Sequence, residues 1–171
     1  MTKDNITLIG LPAVGKSTIG VLLAKAVGYD FVDVDIVIQH ETGKRLEEII
    51  AERGTEGFLE LEEEINATLD ATHSVIAPGG SVIYGERAMR HLKEIGRVVY
   101  LQLSYEDWAE RLGDFKSRGV AIREGLTLKD LYDERIVLYE RFADITIPQY
   151  GNDFEKIIED TIPKLREALQ V

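Results

Sequence analysis

The 171-residue chain contains no cysteine and no long hydrophobic run. Without cysteine no disulfide can form, which fits a reducing compartment but does not establish one. No segment approaches the roughly 20 apolar residues that a membrane-spanning helix needs. Residues 1–10 show no signal peptide, because Asp4 and Asn5 interrupt any apolar stretch there. We therefore predict a cytoplasmic protein that does not enter a membrane.

Basic residues are scarce relative to acidic ones. The chain has 20 Lys and Arg against 31 Asp and Glu, and its formal net charge is −11. Binding to nucleic acid or to an anionic membrane needs clustered Lys and Arg to neutralise phosphates, so this balance argues against both partners. If the protein binds phosphate groups, it must do so at one local site.

The chain also lacks internal repeats, low-complexity tracts and linkers. Its length and its 44% hydrophobic content are typical of one soluble domain, here residues 1–171. The three histidines have no metal-ligand spacing. These features predict a single domain without a histidine metal site.

Short apolar runs alternate with segments of helical periodicity. The predicted strands are residues 6–9, 31–34, 74–77, 97–103 and 145–147. The predicted helices are residues 16–27, 46–53, 58–71, 86–95, 105–112, 128–142 and 154–169. This alternation favours an α/β fold with a largely parallel sheet and helices on both faces.

The most specific motif is Gly10-Leu-Pro-Ala-Val-Gly-Lys-Ser-Thr18, a complete G-x-x-x-x-G-K-[ST] pattern between a predicted strand and a predicted helix. In that context backbone N–H groups and the helix N-terminus can hold phosphate oxygens. Lys16 would reach the β- and γ-phosphates, and Ser17 would ligate Mg²⁺. The alternative is a glycine-rich turn with a chance lysine. The predicted ATP-binding residues of this loop are Gly10, Ala13, Val14, Gly15, Lys16, Ser17 and Thr18.

Two carboxylates, Asp33 and Asp35, follow at the end of the second predicted strand. Side chains two apart on an extended segment point the same way, so both can face one site. One carboxylate could hold the metal, here assigned to Asp33, while Asp35 takes the proton of an acceptor hydroxyl. The alternative is a solvated acidic loop.

These motifs, with others downstream, resemble the shikimate kinase family of P-loop small-molecule kinases over about residues 6–143. The further matching pieces are Thr42-Gly43, the segment from Gly54 to Glu62, Gly79-Gly80, Arg111, Arg118, and Arg135 ahead of Leu138-Tyr139-Glu140. The resemblance implies a P-loop NTPase three-layer sandwich of nucleoside monophosphate kinase type, with a five-stranded parallel sheet and a lid at about residues 113–125. It also implies γ-phosphoryl transfer from ATP to a small hydroxylated acceptor.

The resemblance assigns roles to three arginines. Arg118 would swing with the lid onto ATP, and Arg111 would lie beside the nucleotide. Arg135 would contact both the acceptor and the transferred group, although a salt bridge to its helix neighbours Asp133 or Glu134 is the alternative. For Arg118 and Arg111 the alternative is a solvated side chain.

The acceptor side departs from the family pattern. Leu59 stands where the family has an arginine that clamps the shikimate carboxylate and that Glu62 would brace. Losing such a charge-assisted contact is enough to change which acceptor is used. The sequence Pro78-Gly79-Gly80-Ser81 ends in serine where the family has glycine, and Ala13 replaces a common glycine. The predicted substrate-binding residues are Asp35, Leu59, Gly79, Gly80, Ser81 and Arg135.

We therefore expect an ATP- and Mg²⁺-dependent kinase, most simply a monomer, whose acceptor is shikimate or another hydroxylated compound. A regulatory nucleotide-binding protein without this activity is the alternative. A GTP-dependent switch is disfavoured, because N-K-x-D and D-x-x-G are both absent. The expected catalytic residues are Lys16, Asp35, Arg118 and Arg135. Trp108 is expected to pack in the core, and the run from Glu60 to Glu64 to form a solvated helix face, with Glu62 as a possible exception.

Overall fold

Five parallel strands form a sheet in the order β2-β3-β1-β4-β5, with helices on both faces. The computed structural model describes residues 4–113, 125–151 and 153–171. The strands are β1 (Asn5–Ile9), β2 (Asp30–Asp33), β3 (Ser74–Ala77), β4 (Gly96–Gln102) and β5 (Ile145–Pro148). The helices are α1 (Lys16–Val27), α2 (Val34–Thr42), α3 (Leu46–Ala67), α4 (Glu86–Ile95), α5 (Tyr105–Leu112), α6 (Leu128–Phe142) and α7 (Phe154–Leu169). A short 3₁₀ helix, Val82–Tyr84, precedes α4.

The central strands carry the core. Every residue of β1 and β3 is buried, whereas the edge strands β2 and β5 are partly exposed. Strands that are covered on both faces have nearly continuous apolar sequences, which is why the apolar runs in the sequence located them. The predicted α/β fold with a five-stranded parallel sheet is confirmed.

The register of the sheet brings three strand ends together. Ile6 of β1 pairs with Val75 of β3, and Asp33 at the end of β2 pairs with Ala77 at the end of β3. Because all three strands run parallel, the segments that follow them meet at one edge of the sheet. Ligands of open α/β sheets bind at such carboxyl ends.

Helix α2 is absent from the sequence-based prediction. The Asp33 carboxylate accepts a hydrogen bond from the Asp35 N–H and caps the helix, and Gly43 ends it in the left-handed conformation. Only Val34 and Ile38 of its nine residues are fully buried, so its apolar stripe is too short for periodicity to reveal it. Both signals, an Asp before the helix and a Gly after it, were present in the sequence.

The two helices predicted at 46–53 and 58–71 form one kinked helix, α3. Gly54 has φ 71° and ψ 176°, which breaks the helical path at the predicted interruption. The proposed lid lies largely outside the described residues, since 114–124, including Arg118, are not among them. The lid therefore stays a prediction. Among the described residues, no helix combines the length and the apolarity needed to cross a bilayer.

Candidate active site

A cavity of about 290 Å³ opens where the ends of β1, β2 and β3 meet. Its walls come from the loop after β1, the start of α2, the α3 helix, the segment after β3, and α6. The lining residues are Pro12, Ala13, Gly15, Lys16, Ser17, Thr18, Asp35, Leu46, Phe58, Glu62, Ala77, Pro78, Gly79, Gly80, Ser81 and Arg135.

The loop after β1 depends on glycine at two of its turns. A Cβ on Gly10, whose φ is 151°, would lie 2.8 Å from the Leu101 carbonyl oxygen. Gly15, at φ 96°, caps the N-terminus of α1. Ala13 also has positive φ, 62°, a region that costs a residue with a Cβ about 1–2 kcal/mol. Val14 is fully buried beneath the loop and fixes it to the core.

Lys16 lies in the cavity with its ammonium group turned back onto the loop. Its Nζ donates hydrogen bonds to the carbonyl oxygens of Gly10 and Leu11, both at 2.9 Å. Burial lowers the pKa of Lys16 to about 8, and the nearby Asp35 carboxylate opposes that shift. An anionic phosphate beside Lys16 would restore the charged form, because an opposite charge stabilises the ammonium.

Ser17 and the two aspartates form a chain of contacts across the cavity rim. Ser17 Oγ donates to Asp33 Oδ2 at 2.8 Å, and Asp33 Oδ1 accepts from the Asp35 N–H at 3.1 Å. The prediction that Asp33 and Asp35 lie together on an extended segment was wrong, because Asp35 is in the first turn of α2. The capping interaction, rather than strand alternation, sets the spacing of these two carboxylates.

The Asp35 carboxylate faces the cavity. Burial is the main reason that its pKa is raised, and the negative charge of Asp33 acts in the same direction. A raised pKa makes this carboxylate a better proton acceptor than an exposed aspartate at neutral pH.

Arg135 of α6 is 1% exposed and closes the far wall. Its Cζ lies 5.5 Å from the ring centre of Tyr84. The Tyr84 hydroxyl donates to Glu134 at 2.6 Å. The Tyr139 hydroxyl donates to the Gly80 carbonyl at 2.5 Å and thereby joins α6 to the segment after β3. The guanidinium is therefore held at a fixed place in the wall.

Glu62 and Ser81 form a buried pair in the same cavity. Ser81 Oγ donates to Glu62 Oε2 at 2.6 Å, and Glu62 is only 1% exposed. Burial raises the pKa of Glu62 to about 7 against the opposing hydrogen bond from Ser81. Glu62 is thus a true exception on a helix face that is otherwise largely solvated.

Comparisons with known proteins agree on one family. The family model described as shikimate kinase matches residues 12–166. The chain belongs to the shikimate kinase family. It is 33% identical over 163 residues to shikimate kinase of Persephonella marina, covering 95% of this chain and 99% of that protein. It is 37% identical over 161 residues to shikimate kinase of Thermodesulfovibrio yellowstonii, covering 92% of each.

Solved structures of the shikimate kinase family have the same architecture. Shikimate kinase from Acinetobacter baumannii, in complex with shikimate, matches with a TM-score of 0.84 and 32% identity over 99% of this chain and 94% of that one. The chain is therefore an ATP-dependent phosphotransferase with an alcohol group as acceptor, and the regulatory alternative is not favoured.

Most residues predicted for this shikimate kinase family site converge on the cavity, but some do not. Leu59 is half-buried against the hydrophobic core and is outside the set of described residues that line the cavity. Arg111 lies elsewhere, donating to the Gln149 side chain at 3.2 Å and to the Gly151 carbonyl at 2.6 Å. Arg118 lies outside the described residues.

Sequence reasoning missed several supporting residues. Trp108, fully buried as expected, donates from Nε1 to the Pro12 carbonyl at 2.8 Å and so fixes α5 to the loop after β1. Tyr84 and Tyr139 hold the Arg135 side of the cavity. The sequence did point to Tyr139, since this residue lies within the segment after Arg135 that matches the family. Nothing in the sequence pointed to the contacts of Tyr84 and Trp108, because these contacts join distant parts of the chain.

Proposed function

We propose that this phosphotransferase binds ATP over the loop from Gly10 to Thr18 and phosphorylates a hydroxyl group placed between Asp35 and Arg135. The observation that carries the proposal is the convergence of Lys16, Asp35 and Arg135 on one cavity. A cation for phosphate, a carboxylate of raised pKa and a second cation are the parts that phosphoryl transfer needs.

The nucleotide side rests on the N-terminus of α1. Backbone N–H groups there are available to phosphate oxygens, and the helix dipole favours negative charge. On ATP binding, Lys16 exchanges its two carbonyl contacts for the β- and γ-phosphates. The charge on Lys16 then counters the negative charge that develops on the transferred group.

Mg²⁺ fits the donor set beside this loop. The Ser17 hydroxyl and the Asp33 carboxylate bring two hard oxygen atoms within 2.8 Å of each other. Mg²⁺ prefers oxygen ligands and usually takes only one or two from the protein, with substrate phosphates and water supplying the rest. Bound there, the ion would neutralise phosphate charge, and Ser17 and Asp33 would orient it.

The acceptor side begins with proton removal by Asp35. The Asp35 carboxylate takes the hydroxyl proton while the acceptor oxygen forms a bond to the γ-phosphorus. The bond between that phosphorus and the bridging oxygen of ATP breaks, and ADP leaves. Arg135 holds the acceptor and the transferred group in line, while roles for Arg118 and Arg111 beside the nucleotide stay predictions.

Shikimate is the first acceptor to test, because the structure of the Acinetobacter baumannii relative is a complex with shikimate. A monomeric state stays a prediction from the sequence. A cytoplasmic location stays a prediction from the sequence.

The test is ADP release from purified protein with ATP and Mg²⁺, with shikimate and with a panel of polyols, amino alcohols and hydroxy acids. We expect acceptor-dependent ADP release, and Asp35→Asn should lower kcat by about 100- to 10,000-fold. Asp30→Asn, on the exposed edge strand β2, is the matched control and should leave kcat unchanged. No release with any acceptor, or equal kcat in both variants, would contradict the proposal.

A further inference from the structure

Two residues of α6 are buried beside the cavity, Arg135 in its wall and Tyr139 behind it. They are four residues apart on one helix, so their side chains share a face. Arg135 lines the cavity, whereas Tyr139 is outside the described residues that line it. A role of Tyr139 in the reaction therefore has to act through another side chain.

The single proton of the Tyr139 hydroxyl is committed to Gly80. Tyr139 Oη donates to the Gly80 carbonyl oxygen at 2.5 Å, and a carbonyl oxygen can only accept. Burial raises the pKa of Tyr139, against the opposing charge and hydrogen bond of Arg135, so the phenol keeps its proton at neutral pH. The lone pairs that remain on the Tyr139 oxygen can only accept, and the guanidinium of Arg135 can only donate.

Gly80 also borders Arg135 directly. A Cβ on Gly80 would lie 3.1 Å from Arg135 Nη1 and 3.0 Å from Pro12 Cδ. Both distances are shorter than an ordinary van der Waals contact, so a side chain here would displace the guanidinium or the loop after β1. The same residue that supplies the carbonyl for Tyr139 thus leaves the space in which Arg135 Nη1 lies.

Tyr139 is held from its other side by Tyr100 of β4. The two ring centres are 5.1 Å apart and the ring planes are inclined by 20°, a stacked arrangement. Tyr100 is also fully buried, but its hydroxyl has no hydrogen-bond partner among the described residues. The two tyrosines therefore match in burial and stacking and differ in what their hydroxyl groups meet.

We propose that Tyr139 is a positioning residue for Arg135: its hydroxyl joins the guanidinium to the Gly80 carbonyl and keeps Arg135 aimed at the acceptor and the transferred phosphoryl group. This inference rests on the role of Arg135 in the proposed function. Phosphoryl transfer depends on correctly placed charges, and a displacement of about 1 Å costs about 100-fold in rate. Loss of one orienting hydrogen bond is a smaller disturbance, and we expect an effect of about tenfold.

Nitrogen-15 NMR of the Arg135 guanidinium tests the positioning without turnover. Hydrogen bonds slow its rotation and its N–H exchange with water, so we expect two separate Nη resonances in the wild type. Their absence from Arg135→Lys assigns them. In Tyr139→Phe the resonances should average and the N–H groups exchange faster, whereas Tyr100→Phe should keep the wild-type spectrum. Averaged resonances in the wild type, or unchanged ones in Tyr139→Phe, would overturn the proposal.

Steady-state kinetics with ATP, Mg²⁺ and the acceptor of highest kcat/KM measures the consequence. Tyr139→Phe should lower kcat by about tenfold and leave KM for ATP nearly unchanged, because the lost interaction orients a group that acts in the transition state. Tyr100→Phe should keep the wild-type kcat. Urea unfolding shows that each variant is folded under the assay conditions. If Tyr139→Phe lowers only the free energy of unfolding and not kcat, Tyr139 is merely structural and the proposal is wrong.

Arg135→Lys keeps this proposal distinct from the proposed function. In the Arg135→Lys background, Tyr139→Phe should cause no further loss of kcat, because the hydroxyl acts through the guanidinium. A full tenfold loss in that background would overturn the proposal. If Arg135→Lys lowers kcat but Tyr139→Phe does not, the role of Arg135 stands and positioning by Tyr139 fails. If the wild type phosphorylates no acceptor, the proposed function fails, and the guanidinium resonances decide whether Tyr139 positions Arg135.

Discussion

Ser81 Oγ and Glu62 Oε2 are joined by a 2.6 Å hydrogen bond in the buried wall of the cavity. The bond holds a carboxylate at a place that solvent hardly reaches, and the adjacent Leu59 supplies no positive charge. Burial outweighs Arg135 and Lys16, which favour the charged form of Glu62, and keeps the pKa of Glu62 raised to about 7.

The buried carboxylate predicts how stability depends on pH. The pKa of Glu62 is about 7 in the folded protein, whereas the ordinary value for a glutamate is 4.5, so the folded state binds more protons between these values. The free energy of unfolding therefore falls as pH rises from about 4.5 to 7, by about 3 kcal/mol from this group. The pKa of Asp35 is also raised, so its ionisation lowers the free energy of unfolding in the same direction as pH rises.

Glu62→Gln should remove most of this dependence, because the amide does not ionise. Urea unfolding at pH 5 and pH 8 should show that the variant is the more stable protein at pH 8 and close to wild type at pH 5. Glu60→Gln, at an exposed position on the same helix, should follow the wild-type curve. Parallel curves for wild type and Glu62→Gln would mean that Glu62 ionises normally.

Lys16→Met should abolish phosphoryl transfer without unfolding the protein. The variant loses the cation that we propose to contact the β- and γ-phosphates, and we expect kcat to fall by about 100- to 1,000-fold or more. Lys25→Met, at an exposed position on the same helix, should retain full activity. ADP release and circular dichroism measure the two effects. Turnover by Lys16→Met near the wild-type rate would remove this lysine from the mechanism.

Ala13→Gly should stabilise the protein. Ala13 has a φ of 62°, which glycine adopts freely, and the gain net of the greater freedom of the unfolded chain is about 0.5–1 kcal/mol. Ala26→Gly, at an exposed helical position of α1, should instead destabilise by about 1 kcal/mol. Denaturant midpoints compare the two. Loss of stability in both variants would contradict strain at Ala13.

Trp108→Phe should weaken nucleotide binding at a distance. The indole N–H of Trp108 donates a hydrogen bond to the Pro12 carbonyl at 2.8 Å. Losing this hydrogen bond should lower the free energy of unfolding by about 1 kcal/mol and loosen the loop after β1. ATP affinity, measured by calorimetry, should fall a few-fold. Tyr105→Phe, in the same aromatic cluster, should leave both quantities near wild type. Because Trp108 is the single tryptophan, its fluorescence in the wild type should respond to ATP.

Leu59→Arg should raise activity on shikimate. The introduced guanidinium lies three residues before Glu62 on the helix, so the two side chains share a face and can pair. The arginine would then supply the carboxylate clamp of the shikimate kinase family, and kcat/KM for shikimate should rise about tenfold. Glu60→Arg adds similar charge on the exposed face and should give no gain. An unchanged kcat/KM would mean that the cavity differs elsewhere too.

The central strands β1 and β3 were predictable because every one of their residues is buried. The apolar runs of β1 and β3 are short and are followed by glycine and proline, which favours strands. The helix boundaries of α4, α5 and α6 coincide with the predicted ones. Helix α2 escaped prediction because it buries only Val34 and Ile38 fully and owes its start to one capping side chain.

The family and, apart from α2, the order of strands and helices could be predicted from the chain alone, because they depend on local spacing and on burial patterns along it. The composition of the acceptor wall could not, because it depends on contacts between distant segments. Glu62 and Ser81 are 19 residues apart, and Tyr139 meets Gly80 across 59 residues. Only packing of α3 and α6 around the end of β3 brings these groups together and removes water from Glu62.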